Sequence, residues 1–465
     1  MNSILTRLKE HASSVVVVTL TAAFATALML AVGAVVAIAE STGLDEVGPV
    51  NTILGVTAWV FLGIALYVAL MVITNAFATI IAGRRREIAL MRLIGSSSRR
   101  QRRVIVREGL AVGLVGAVLG YLIGLALLQV TLRINASQGL IPDITYPFFT
   151  TNLVLPLLTI VGVSSLAAWY GSRAVLSVTP IEAVGAAQPA TYEALRTSIT
   201  RRVMTALLLI GGLVVMALGI WVGLETPEGL PIAFLGGALS FSGVVTGAVI
   251  VLPKLMGWLG AVFRGTAAGR LAVANSRRYP ERSARVMIGL VIGVTLVVMF
   301  AVASETLLTT VSDEMDPMQA QMFAQVMRVI ALAFGALIGF SAVLAAIGTA
   351  NSISLNVLQR TRELGLLRAL GLSRSQLRSM VWIESALLAV TGIGFGALLG
   401  TFYGWVGAQS SLGSSVAGGL VTLTVPWLLI VVIVICAALL VWVSSALPSR
   451  RAVRLQPVAA LASAH

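Results

Sequence analysis

Charged residues and glycines recur in this chain at the same spacing in two stretches that lie 276 residues apart. Residues 75–108 match residues 351–384 without a gap. Membrane anchoring needs positive charge in no particular place, whereas these stretches repeat a carboxylate, an arginine and a glycine in fixed order. Such a pattern is suited to docking another protein on a rigid turn. The residues predicted to couple this chain to a docked partner are Glu87, Arg92, Gly95, Glu363, Arg368 and Gly371.

The sequence offers no pattern that would support catalysis. A phosphate-binding loop requires Gly-Lys-Ser/Thr, and the only lysines, Lys9 and Lys254, do not stand in that context. Cys436 is the only cysteine, and the two histidines, His11 and His465, lie in the tails. We therefore predict no catalytic residue, no metal site and no cofactor bound by this chain.

Each repeated stretch predicts a short amphipathic helix followed by a stop. Apolar residues recur at three-residue spacing, as expected for one face of a short helix. Gly95 and Gly371 follow where a left-handed cap would end that helix. The apolar residues are Ile88, Met91 and Ile94 in the first copy, and Leu364, Leu367 and Leu370 in the second. We call each helix–glycine–helix stretch an elbow.

A second helix is predicted to open directly after each glycine. Ser98 with Gln101, and Ser373 with Gln376, have the spacing of a capping box. A rigid projection of this kind can pass the movement of a docked partner to the helices on either side.

Further residues recur in the apolar runs that follow the elbows. Glu108 and Glu384 stand at the start of these runs, and we expect them to orient each helix against its elbow. Glycines at four-residue spacing allow close helix packing, and we expect the two copies to meet along these glycine faces. The glycines are Gly116, Gly120, Gly124, Gly392, Gly396 and Gly400.

Composition identifies the class of protein that must position these residues. The 465 residues are 58% hydrophobic and 11% charged, with a mean hydropathy of +0.98, against about 25% charged residues in soluble domains. The class is therefore an all-α polytopic membrane protein with about ten transmembrane helices. The apolar runs are 14–39, 52–82, 104–132, 153–172, 203–224, 231–253, 284–304, 326–358, 379–405 and 426–447.

The distribution of basic residues predicts the orientation. With the N-terminus inside, 30 of the 32 basic residues fall on the cytoplasmic side, and only Arg133 and Arg328 fall outside. Both termini are then cytoplasmic, and the net charge of +14 faces membrane lipid or a cytoplasmic partner rather than nucleic acid. The near absence of lysine is typical of a GC-rich bacterial genome.

The repeat predicts the domain organisation. Residues 1–185 and 271–465 form two four-helix units, and residues 186–270 form a linker with two inserted helices. Both elbows follow an outside-to-inside helix, so the two units are parallel repeats. The external loops have about 20 residues at most, too few for an independently folded domain, which needs at least about 40 residues.

The elbow sequences REIALMRLIG and RELGLLRALG resemble the FtsX-like permease domain of MacB-type (type VII) ABC transporters. The ten-helix duplicated arrangement is similar to that of bacitracin-exporter permeases of the BceB type. Those permeases carry a large extracellular domain between their seventh and eighth helices, where this chain has only residues 305–325.

The resemblance implies the function and the partners. It implies a permease subunit in a bacterial cytoplasmic membrane, with two copies of a cytoplasmic ABC ATPase, one docked on each elbow, that bind ATP and Mg²⁺. ATP hydrolysis by these partners would drive export or membrane extraction of a hydrophobic or amphipathic substrate. The alternatives are a complex that transmits movement to an external cell-wall enzyme or sensor without transport, and a secondary carrier or membrane enzyme.

Overall fold

The computed structural model describes residues 15–34, 55–75, 85–138, 154–173, 199–314, 370–415 and 419–435, with short gaps inside several of these ranges. Within these ranges the secondary structure is helical, apart from turns, bends and short segments without regular structure, the longest at 420–426. Two predicted spans fall wholly or mostly outside the described residues: 326–358 and 426–447.

The helices follow one another in the order expected for a polytopic protein. Helical residues are described, with gaps, in 15–34 (α1), 55–75 (α2) and 427–435 (α11). The remaining helices are α3 (Arg85–Leu93), α4 (Ser98–Ser137), α5 (Val154–Gly171), α6 (Ile199–Gly223), α7 (Gly229–Leu259), α8 (Ala267–Arg278), α9 (Pro280–Glu314) and α10 (Arg374–Leu412).

Five helices in the described part of the chain are long and apolar enough to cross a membrane: Ser98–Ile134, Ile199–Gly223, Gly229–Phe263, Met287–Thr310 and Ser375–Leu412. They coincide with five of the predicted runs and extend beyond most of them, because arginines and serines at the helix ends continue the helix into the interface. The protein is thus a multi-pass membrane protein, while the total of ten spans stays a prediction.

The two inserted helices, α6 and α7, form an antiparallel hairpin held together by small residues. A Cβ added to Gly219 would lie 2.8 Å from the Cβ of Ala233 on the facing helix. Gly243 and Gly247 would similarly meet Leu209 and Thr205. The two backbones therefore approach closely along the whole hairpin, as small residues at helix interfaces permit.

The hairpin packs mainly against the second unit. Helix α7 contacts both α9 and α10, and α6 contacts α10. Near the end of α6, a Cβ on Gly223 would lie 2.5 Å from the carbonyl oxygen of Ser410 in α10. Contact with the first unit runs through α2, where Phe234 of α7 packs over Gly63.

Candidate functional site

In the first elbow, α3 ends in a Schellman turn. Gly95 has a φ of +98°, which places it in the left-handed region that glycine enters without a steric penalty. Its N–H donates to the carbonyl of Arg92 at 3.1 Å, and the N–H of Ser96 donates to the carbonyl of Met91 at 3.0 Å. These bonds satisfy carbonyls that the end of a helix would otherwise leave open, so the direction of the turn is fixed.

The second elbow holds its glycine in the same left-handed region. Gly371 has a φ of +97°, as predicted for a left-handed cap. The preceding residues 351–369, including Glu363 and Arg368, lie outside the described residues. In the first copy, Glu87 lies in α3 and Arg92 is half-buried in its last turn. Their coupling role stays a prediction.

The helix that leaves each elbow begins at matched serines. Ser373 accepts a hydrogen bond from the N–H of Gln376 at 3.2 Å, and the side chain of Gln376 accepts from the N–H of Ser373 at 3.0 Å. The predicted capping box is therefore confirmed in the second elbow.

In the first elbow the predicted Ser98–Gln101 capping box is wrong by one residue. The N-cap is Ser97, whose Oγ accepts from the N–H of Arg100 at 3.3 Å. Arginine has no acceptor to complete the box. Gln101 instead donates from its side chain to the Oγ of Ser96 at 3.0 Å.

Both elbows present a large apolar side chain immediately before the glycine. Ile94 is 81% exposed and its repeat counterpart Leu370 is 72% exposed. Ile88, one turn and a half earlier in α3, is only 4% exposed and faces inward. Isolated exposed apolar residues are common, but a matched pair at the tips of two equal turns is an attractive docking feature. We call Ile94 and Leu370 the elbow tips.

An arginine cluster connects the first elbow to the end of its unit. Arg102, near the start of α4, donates from Nε to the Oγ of buried Ser172 at 3.1 Å and from Nη2 to the carbonyl of Trp169 at 3.2 Å. The guanidinium groups of Arg102 and Arg173 lie 4.9 Å and 4.8 Å from the centre of the Trp169 ring, within the range of cation–π attraction. The cluster therefore joins the start of α4 to the end of α5.

Sequence analysis did not select this cluster, although a signal was present. Arg102 recurs as Arg378, and Ser172-Arg173 recurs as Ser449-Arg450. One recurring site lies at the start of a membrane helix and the other at the end of the next one, and this could have suggested a contact.

The second elbow is supported by α8. Ala268 and Ala272 of α8 pack with Leu377, Met380 and Val381 in the first turns of α10. The segment that leads into the second unit therefore lies directly beside the helix that leaves the elbow.

The two matched glutamates differ in burial. Glu384 is only 7% exposed, whereas Glu108 is half-buried. Each lies in the third turn of its helix, as the repeat requires. Their helix-orienting role stays a prediction.

The glycine faces pack within each unit and not between the units, which corrects the expectation that the two copies meet there. The glycines of α4 face α1, and those of α10 face α9. The match extends to individual atoms, because a Cβ on Gly124 or on Gly400 would meet the same three atom types. For Gly124 these are the carbonyl oxygen of Ala23, the amide nitrogen of Ala27 and the Cβ of Thr26; for Gly400 they belong to Thr295, Met299 and Val298.

The remaining four glycines show the same pairing. A Cβ on Gly116 or Gly120 would lie 2.6 Å or 2.5 Å from the nearest atoms of α1. On Gly392 or Gly396 the nearest atoms of α9 would be 3.1 Å or 3.0 Å away. The seam of the first unit is therefore the tighter of the two.

An apolar cavity lies between α2 of the first unit, the inserted hairpin, and α9 and α10 of the second unit. It has about 760 Å³ of open space, counted with its mouth. Phe241 of α7 stands between two tyrosines, with ring centroids 6.4 Å from Tyr67 and 6.2 Å from Tyr403, both edge to face. This aromatic bridge joins the two units through the hairpin.

Sequence analysis did not select the cavity or the aromatic bridge. The lining residues come from five segments, and no fixed spacing connects Tyr67, Phe241 and Tyr403 in the sequence.

Two elbow glycines in the same left-handed conformation, each followed by a helix long enough to cross a membrane, define a multi-pass protein built on a repeated unit. The domain described as FtsX-like permease C-terminal matches residues 59–180 and 335–457, which together make up just over half of the chain. The chain belongs to the FtsX-like permease family of ABC transporters and carries the family's domain twice. The prediction of an ABC transporter permease with an internal FtsX repeat is thereby confirmed.

The chain is also similar to individual ABC transporter proteins. It is 30% identical over 137 residues to the uncharacterized ABC transporter permease YknZ of Bacillus subtilis, covering 30% of this chain and 32% of YknZ. It is 30% identical over 123 residues to the macrolide export ATP-binding/permease protein MacB of Escherichia coli, covering 26% and 18%. It is 26% identical over 144 residues to the uncharacterized ABC transporter permease MJ1507 of Methanocaldococcus jannaschii, covering 30% and 35%. The match spans about a third or less of each relative.

Proposed function

We propose that this chain is the permease subunit of an exporter, in which separate ATPase subunits drive the export or membrane extraction of a hydrophobic or amphipathic substrate. One ATPase docks on each elbow and binds ATP and Mg²⁺. The complex lies in a bacterial cytoplasmic membrane, with both termini and both elbows on the cytoplasmic side.

The pair of matched elbows is the observation that carries this proposal. Both turns hold a glycine in the left-handed region, with φ values of +98° and +97°, and both expose an apolar tip. Ile94 and Leu370 are the matched side chains. Two equal and rigid docking points on one chain are what a pair of identical ATPase subunits requires.

The contacts around the elbows supply a path for the movement. In the first unit, Arg102 connects α4 to the end of α5, and the glycine seam connects α4 to α1. In the second unit, the corresponding seam connects α10 to α9. A partner that draws the elbows together would therefore move pairs of helices as rigid bodies.

The cavity favours transport over transmission of movement to an external enzyme. The elbows begin α4 and α10, whereas Tyr403 in the cavity wall lies about 44 Å further along α10 at 1.5 Å per residue. With the elbows in the cytoplasm, the cavity falls in the outer half of the membrane. An apolar space there suits a substrate that enters sideways from the outer leaflet.

The proposal is tested at the elbow tips. Charged substitutions, Ile94→Asp together with Leu370→Asp, place carboxylates where we propose apolar contact. We expect the purified permease to lose binding of its ATPase and stimulation of ATP hydrolysis by about tenfold or more, since losing a central apolar contact costs at least ~1.4 kcal/mol.

Val262→Asp is the matched control. Val262 is 84% exposed in the short 3₁₀ turn Gly260–Gly265 after α7, near the same end of the bundle but outside both elbows. Its carboxylate adds the same charge as either single substitution, Ile94→Asp or Leu370→Asp, without touching a tip. If Val262→Asp weakened ATPase stimulation as much as the double variant, the elbow assignment would be wrong. If the permease stimulated the ATPase but moved no amphiphile, the transmission mechanism would replace transport.

A further inference from the structure

The cavity between the two units has a wall without charge. The lining residues that the structure describes come from α2, α6, α7, α9 and α10, and none of these is an acid, a lysine, an arginine or a histidine. A charged headgroup would lose its hydration here without gaining a partner. The chemistry of the wall therefore selects an uncharged, apolar occupant.

The few polar side chains in the wall already have hydrogen-bond partners. The hydroxyl of Tyr67 donates to the carbonyl of Ala238 at 2.9 Å and lies 2.9 Å from the Oγ of Ser242. The hydroxyl of Tyr403 lies 3.0 Å from the Oγ of Ser240, and Thr295 donates to the carbonyl of Gly396 at 3.1 Å. These side chains therefore need no hydrogen bond from a molecule in the cavity.

Two glycines of the wall keep space open rather than bring helices together. A Cβ on Gly237 of α7 or Gly407 of α10 would meet no atom of the described residues within 4 Å, although both residues line the cavity. Neighbouring glycines of the same helices behave differently: a Cβ on Gly243 or Gly404 would lie 2.7 Å or 2.6 Å from the facing backbone. Close helix packing explains why glycine stands at 243 and 404. It does not explain the glycines at 237 and 407.

The length of the cavity matches one leaflet. Its lining runs from Leu230 to Phe241 along α7 and from Val60 to Met71 along α2, about 17 Å in each case at 1.5 Å per residue. The hydrocarbon core of a bilayer is about 30 Å thick, so this is roughly the depth of a single leaflet. A lipid-like chain fits that dimension.

We infer that this cavity is a binding site for a single hydrocarbon chain of an outer-leaflet amphiphile, seated between Gly237 and Gly407 against the aromatic bridge. The inference deepens the proposed function and rests on it for the role of the site in transport. Binding itself requires no ATPase, so the two proposals can fail separately.

The test measures chain binding on the purified full chain alone. The chain is placed in nanodiscs of phosphatidylethanolamine and phosphatidylglycerol containing a phosphatidylethanolamine with a diazirine on one acyl chain. After illumination, labelled peptides of α2 and α7 are quantified by mass spectrometry. Gly237→Leu and Gly407→Leu each fill the cavity from a different wall, and we expect each to lower this labelling about tenfold.

Gly394→Leu on α10 and Gly211→Leu on α6 are the matched controls. Their Cβ positions are also open, and neither residue lines the cavity, so labelling should stay within about twofold of the unsubstituted chain. Thermal unfolding confirms that each variant is folded. Equal labelling in the cavity and control variants would overturn the inference.

A second probe distinguishes the chain from its headgroup. A single-chain alkylammonium that carries the diazirine at the same depth should label the same peptides and lose that label in Gly237→Leu. If only the phospholipid labels the cavity, recognition is by the headgroup and the inference fails. If Gly237→Leu or Gly407→Leu loses labelling but the permease still stimulates its ATPase, the result supports the binding site independently of the proposed coupling at the elbows.

Discussion

Gly95 and Gly371 determine the direction in which the chain turns at the membrane surface. Their φ values of +98° and +97° are accessible to glycine and costly for residues with a Cβ. Apart from the chain neighbours, no atom of the described residues lies within 4 Å of where a Cβ would stand on either. The demand for glycine therefore comes from the backbone conformation alone and not from crowding.

Replacing either elbow glycine by alanine should destabilise the protein through backbone strain. We expect Gly95→Ala or Gly371→Ala to cost about 1–2 kcal/mol in the free energy of unfolding. Gly394→Ala is the control, because its Cβ position is equally open but it lies inside helix α10, where alanine is favoured. Thermal unfolding in detergent measures both. A melting temperature that falls equally in the elbow and control variants would contradict the strain argument.

The residue pattern predicted the elbow turns well and one of the two caps. A glycine after an amphipathic run specifies a left-handed stop, because few other residues tolerate it. The first cap was placed one residue late because Ser96, Ser97 and Ser98 are all acceptable N-caps. The choice among them depends on where the helix geometry begins, which is a tertiary property.

At the scale of the helices, the glycine seams form the most regular contact in the protein. Each seam pairs the helix that leaves an elbow with the first helix of the same unit, α4 with α1 and α10 with α9. Glycine spacing in the sequence identified the faces, but the same spacing is compatible with any small-faced partner. The partner helix was therefore not predictable from one sequence.

The pairing of the seams can be tested with engineered disulfides in a Cys436→Ala background. A Cβ on Gly120 would lie 2.5 Å from the Cβ of Ala22, and one on Gly396 would lie 3.0 Å from the Cβ of Val294. Both separations are below the roughly 3.5–4.5 Å of disulfides, so the paired helices must move apart by at least about 0.5–1 Å before the bond can form.

We expect Ala22→Cys with Gly120→Cys, and Val294→Cys with Gly396→Cys, to form disulfides on mild oxidation. Ala22→Cys with Gly396→Cys combines the two units and should remain reduced. Maleimide accessibility on denaturing gels distinguishes the two states. Efficient oxidation of the mixed pair would mean that the glycine faces of the two units meet, as the sequence analysis had expected.

At the scale of the whole molecule, two elbows on one chain make a stoichiometry prediction. We expect native mass spectrometry of the assembled complex to give one permease and two ATPase subunits. Ile94→Asp or Leu370→Asp alone should shift the population toward one bound ATPase. A complex with two permease chains and two ATPases would show that each chain contributes a single functional elbow.

Duplication, class and five of the ten predicted helical spans could be predicted from the sequence, because each depends on local composition or on similarity within the chain. The cavity could not be. Tyr67, Phe241 and Tyr403 are separated by more than 150 residues each, and their meeting depends on how the inserted hairpin packs. That packing uses close backbone contacts at Gly219 and Gly223, which have no charge pattern to reveal them.

The inserted hairpin has a consequence for the symmetry of the protein. A permease dimer made of two identical chains must repeat every feature about its twofold axis. Here α6 and α7 lie against α9 and α10, and among the described residues they contact the first unit through α2. A fused chain is free of the constraint that a dimer obeys. It can therefore hold an off-axis cavity and still present two matched elbows to the two identical ATPase subunits that we propose.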